Sequence, residues 1–122
     1  QLGIVKKEQG DDVSAERFYQ KALEIYIAFN DRYSQACTFG ELGQIKQAQG
    51  DFATAKKYFL KTLTIFQEYQ DQHSLFNVLS HLHSLWKATG DETLIPEIAQ
   101  ILQSTPEEVQ QLFNQIEEQS QK

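Results

Sequence analysis

A chain of 122 residues, 40% apolar and 23% charged, has room for one domain with a core and not for two ordinary ones. No apolar run approaches the roughly 18 residues that cross a membrane, and nothing reads as a signal peptide. The net charge of −6 lies in residues 91–122, which hold seven acids against Lys122 alone, while residues 1–90 balance at ten of each; this disfavours nucleic acid and anionic membranes as partners.

Two further counts set expectations about context. The single cysteine, Cys37, has no second cysteine to pair with in the chain, which points to a reducing, cytoplasmic compartment. The sequence has no methionine, even at residue 1, so the chain is expected to be a piece of a longer protein.

Taken in chain order, the sequence repeats itself at an offset of 40 residues. Leu2-Gly3, Lys6 and Gln9-Gly10-Asp11 return as Leu42-Gly43, Lys46 and Gln49-Gly50-Asp51. Ala15, Lys21, Leu23, Ile25, Asp31 and Ser34 return as Ala55, Lys61, Leu63, Ile65, Asp71 and Ser74, and aromatic residues replace one another at 18/58, 19/59, 26/66 and 29/69. Residues 1–33 then read as a truncated first unit beginning in the middle of a helix, whose uncovered apolar surface is expected to fray or to pair with a second copy.

Residues 34–73 read as one complete unit of two helices. The first is predicted over about 34–49, with Ala36, Phe39, Leu42, Ile45 and Ala48 as a buried stripe. Gly50 stops it and Asp51 caps the second helix, predicted over 52–69, with Ala55, Tyr58, Phe59, Thr62, Leu63 and Phe66 facing inward. A break at Gln70-Asp71-Gln72-His73 precedes Ser74. Connections this short force the two helices to lie antiparallel and in contact. Gly43 and Ala55 lack bulk where the axes would cross, and Phe39 and Phe59 fill the space between pairs.

Residues 74–103 read as a degenerate third unit that keeps Leu82, Ala88, Gly90 and Asp91, followed by a capping helix and tail at 104–122. The last helix is announced by Thr105 as N-cap, Pro106 at its first position and Glu108 three residues after the cap, with Val109, Leu112, Phe113 and Ile116 as its buried stripe. Residues 97–116 also resemble a bacterial helix-turn-helix. A recognition helix needs donors and cations for bases and phosphates, however, and this one carries Glu107, Glu108, Glu117 and Glu118.

Phe39, Leu42-Gly43, Gly50-Asp51-Phe52, Ala55, Phe59 and Leu63 together resemble the tetratricopeptide motif over residues 1 to about 90. Lys46 stands where that motif has an aromatic and Thr62 where it has alanine, and Trp86 restores the aromatic in the third unit. The 40-residue period exceeds the family's roughly 34 and is similar to that of Pins-like polarity adaptors and bacterial signalling proteins.

The resemblance implies an all-α fold, an antiparallel helix-pair solenoid wound as a right-handed superhelix. It implies a protein–protein interaction module that holds a peptide or partner helix in its concave groove; the alternative is a structural spacer or self-association segment of a larger signalling protein. Carried over by position, the groove would be lined by Cys37, Glu41, Gln44 and Gln47, by Asn77, His81, Ser84 and Lys87, and by Ile4, Lys7 and Glu8 of the first unit. Its amides and lysines suggest a polar or mildly acidic peptide.

Catalysis, cofactors and metals are not expected. His81 and His83 lie about 200° apart around a helix, so they cannot share an ion; one is expected in the groove and one in a helix contact. Phosphate loops, HExxH and GxSxG are absent from the sequence.

Overall fold

The computed structural model describes residues 12–120, and these form six helices: α1 (Asp12–Ala28), α2 (Arg32–Ala48), α3 (Phe52–Tyr69), α4 (Gln72–Thr89), α5 (Leu94–Leu102) and α6 (Pro106–Ser120). No strand occurs among the described residues, so the chain is all-α. The N-terminal half of the first repeat, with Leu2-Gly3, Ile4, Lys6, Lys7, Glu8 and Gln9-Gly10-Asp11, and the expected fraying there, lie outside the described residues.

Aspartates spaced twenty residues apart begin the helices. Asp31, Asp51 and Asp71 each accept a hydrogen bond from the backbone N–H three residues on, at 3.1, 3.2 and 3.1 Å, which satisfies one of the donors a helix start leaves free. Asp91 does similar work before α5 by holding Thr93 N at 2.9 Å. The chain reverses through left-handed residues at Asn30, Gly50, Gln70, Gly90 and Gln103. Gln70 and Gln103 hold this conformation with a Cβ, which costs about 1–2 kcal/mol that glycine would not incur.

These caps make the fold acid-sensitive. Hydrogen bonds from Tyr33 and then Ser74 lower the pKa of Asp71 to about 2, and Lys56 followed by Thr93 does the same for Asp91. Asp31 and Asp51 are lowered by their Ser34 and Thr54 bonds. A carboxylate that is more acidic folded than unfolded stabilises the fold above its unfolded pKa, about 3.9, and loses that contribution as pH falls through the folded value. The melting temperature is therefore expected to hold down to about pH 5 and to fall between about pH 4 and 2. A pH series of thermal melts checks this, and Asp71→Asn should shrink the drop.

Connections of three and two residues lay α2, α3 and α4 antiparallel in turn. Arg32 at the start of α2 forms an ion pair with Glu68 near the end of α3 at 2.8 Å, and Lys56 near the start of α3 reaches Asp91, just past α4, at 2.9 Å. Consecutive helices pack on one another from α1 to α4, as do α5 and α6; α2 also meets α4, α3 meets α5 and α4 meets α6. One core runs from α2 to α6, with Ala36, Ala55, Phe59, Leu63, Leu82, Leu94, Ile98, Val109 and Phe113 fully buried.

Some expected details are corrected. Helix α2 begins at Arg32 rather than 34, and α4 at Gln72, so the break before it is two residues long. In the α2 stripe, Ala36, Phe39 and Leu42 are buried, but Ile45 is half-buried and Ala48 exposed. Three residues advance only about 300° around a helix, so an i+3 series drifts off its face by about 60° per step. The two departures from the motif are accommodated by polar partners: Lys46 pairs with Glu16 of α1 at 3.0 Å, and buried Thr62 shares its hydroxyl between Tyr58 O (3.0 Å) and Ala36 O (3.1 Å).

Glycines 40 and 43 both lie on α2 but differ in what they allow. A Cβ on Gly43 would sit 2.7 Å from Cε1 of the fully buried Phe59 ring, whereas one on Gly40 would meet only the Thr62 side chain, at 3.7–3.8 Å. Gly43→Ala is expected to cost about 1–3 kcal/mol of overpacking, outweighing roughly 1 kcal/mol of helix propensity. Gly40→Ala keeps that propensity gain and should be neutral or stabilising. A lower urea midpoint for Gly43→Ala with an unchanged or higher one for Gly40→Ala would bear this out; a comparable drop in both would not.

Candidate functional site

Because α2 and α4 are each antiparallel to α3, they run side by side in the same direction. On α2, Cys37, Glu41 and Gln44 recur at i, i+4, i+7, and on α4 Asn77, His81 and Ser84 do likewise, so each set forms one stripe. The stripes face one another across a cleft of about 160 Å³, lined by Cys37, Glu41 and Gln44 on one side and Ser74, Asn77 and His81 on the other. Ala36, Gly40, Thr62, Phe66 and Val78 also line it.

The structure therefore brings together five of the eight sequence-predicted groove residues on the described helices. Two more extend the same wall: Gln47 Nε2 donates to Ser84 Oγ at 3.2 Å. Lys87, the eighth, ion-pairs with Glu117 of α6 at 2.6 Å. Lys87 is not among the residues that line the cleft, and Lys7 lies outside the described residues. The charge in the described cleft is the carboxylate of Glu41.

The other side chains around the cleft have distinct electrostatic characters. His81 stacks flat on Phe59, with ring centroids 5.5 Å apart, and burial lowers its pKa against the opposing pull of Glu41. It is uncharged at neutral pH, with one ring nitrogen donating and the other accepting. Cys37 is exposed, and partial desolvation, followed by the Glu41 charge, raises its thiol pKa, so the nucleophilic thiolate is scarce. The side-chain amides of Gln44 and Asn77 make no hydrogen bond to other described residues.

His83, two positions from His81, faces the other way. It is buried where α4 meets α6, its ring 5.2 Å from that of Phe113 and its Nε2 3.4 Å from Glu117 Oε1. Among the described residues, no three His, Cys, Asp or Glu side chains converge so as to hold a metal ion. No described helix is long and apolar enough to cross a membrane.

Comparison with models of protein families, with curated proteins and with solved structures found no match.

Sequence reasoning missed a second, larger depression of about 540 Å³ between α2 and α3, where Arg32, Lys57 and Lys61 surround Phe39, Leu60 and Ile65. Its cations are partly engaged, Arg32 by Glu68 and Lys61 over the Phe39 ring at 5.1 Å. The pair Lys57-Lys61 at i, i+4 was the available signal for a basic face on α3.

Proposed function

We propose that this chain is a protein-binding module of the tetratricopeptide type, a right-handed solenoid of antiparallel helix pairs that holds an extended peptide or partner helix along the α2–α4 face. The packing of each of α2, α3 and α4 on the helix two positions further along supports the stacking. One observation carries the binding role: Gln44 and Asn77, on different helices, line one cleft with amides that bond no other described residue. An amide donates and accepts at once, as a peptide backbone does, so the two can hold an extended chain between them. Within this reading the module works in the cytoplasm and needs no cofactor, metal or nucleic acid. The cleft's size agrees with it, since small-molecule sites usually exceed about 300 Å³.

The test is selection of a displayed library of random twelve-residue peptides on the folded chain, followed by amide chemical-shift mapping of the winners. Shifts centred on residues 37–47 and 74–84, and about tenfold or greater weakening by Gln44→Ala/Asn77→Ala, are the expected result. Shifts confined to other helices would remove the assignment.

A second reading, self-association, is favoured by α1. Phe18, Ile25, Ile27 and Phe29, at its end, are between 54% and 80% exposed. Sedimentation across a hundredfold concentration range discriminates, because a constant monomer mass removes this reading.

A further inference from the structure

The cleft between α2 and α4 contains an empty position that packing does not require. Gly43 has to be bare because Phe59 lies against it, but a side chain at Gly40 would meet only ordinary contact with Thr62. What the missing side chain leaves is an opening with Ala36, Val78 and Phe66 as apolar lining and Glu41, Gln44 and Asn77 among its polar groups.

We propose that this opening is an anchor pocket for a single apolar side chain, leucine to phenylalanine in size, and that the residue beside the anchor is Lys or Arg paired with Glu41. The proposal rests on the groove reading above and specifies its ligand. A volume of about 160 Å³ is close to that of an apolar protein cavity known to take up one benzene, about 150 Å³, so it suits one side chain. An apolar anchor seated in a pocket with polar groups around it is where binding energy concentrates in peptide recognition.

The flanking charge follows from the electrostatics of the wall. Glu41 is exposed, and its only hydrogen bond among the described residues is a long one, 3.4 Å, from the hydroxyl of Tyr19. Among the described residues no cation pairs with it: burial lowers the pKa of His81, and Lys87 pairs with Glu117 at 2.6 Å. Glu41 would repel an acidic peptide and pair with a basic one.

The peptides selected from the twelve-residue library are titrated against the wild type and three variants. They are expected to share Leu, Ile, Val or Phe adjacent to Lys or Arg. Gly40→Leu, which fills the pocket from a position that tolerates a side chain, should keep its helical circular dichroism and bind them at least about tenfold more weakly. Gly40→Ala reports on the same pocket if the leucine variant unfolds, with a smaller loss of about threefold. Glu41→Lys, at an exposed position, should reverse the selected charge to Asp or Glu.

Unchanged affinity in a folded Gly40→Leu or in Gly40→Ala overturns the anchor, and acidic winners on the wild type overturn the flanking cation. If Gln44→Ala/Asn77→Ala abolishes binding while both Gly40 variants bind normally, the groove stands and the anchor falls. A library that yields no binder overturns both.

Discussion

Phe59→Ala is expected to lower the stability of the fold by about 3–5 kcal/mol, a large part of the 5–15 kcal/mol typical of a domain. Phe59 is fully buried, fills the space left by Gly43 on α2 and stacks on His81 of α4, so it joins three helices at once. Removing the ring leaves a hole that glycine cannot help to close. The same variant frees His81 from its stack and should disturb the α2–α4 cleft even where the chain stays folded. Urea unfolding measures the loss, and a change below about 1 kcal/mol would show that the three helices do not depend on this ring. A cycle with Gly43→Ala adds a test: the overpacking cost of that substitution should vanish once Phe59 is alanine.

Phe113→Ala is expected to cost a similar amount, about 3–5 kcal/mol, but locally. Phe113 is fully buried, with its ring 5.2 Å from His83 and 5.4 Å from Trp86, and it secures α6 to α4. Val109 and Ile116 of α6 are buried as well, and Lys87 of α4 pairs with Glu117 at 2.6 Å. The variant should release α6 in a separate transition before the rest of the fold. Trp86 is the only tryptophan and is half-buried, so its emission should shift to the red in that first transition. A single transition with unshifted emission would mean that Phe113 does not hold the last helix.

Local signals in the sequence located most of the helices. The bounds of α3, Phe52–Tyr69, follow from Gly50-Asp51 before it and the Gln70-Asp71 break after it. The start of α6 follows from its capping box, which forms in full: Thr105 N donates to Glu108 Oε1 at 2.9 Å and Glu108 N to Thr105 Oγ1 at 3.2 Å. The twenty-residue spacing of Asp31, Asp51, Asp71 and Asp91 would also have placed the start of α2 at Arg32, which the 40-residue comparison put two residues late. Periodicity was less reliable within helices: the i+3 series of α2 overran its buried face at Ala48, and Ile65 of α3, 4% exposed, was left out of the inward set.

The candidate cleft was legible one helix at a time. Stripes at i, i+4, i+7 mark Cys37, Glu41 and Gln44 and, separately, Asn77, His81 and Ser84, and the resemblance to a repeat family set the two side by side. Their meeting in one cleft, the opening at Gly40 beside Thr62 and the pairing of Lys87 with Glu117 depend on pairs 22 or more residues apart. By itself the sequence determined the helices, their ends and the faces they turn inward, because caps, glycines and apolar spacing act within a few residues. Only the tertiary structure decided which polar side chains share a cleft and what charge it carries. Those outcomes depend on how closely helices approach and cross, which is set at contacts such as Gly43 on Phe59 that no single helix contains.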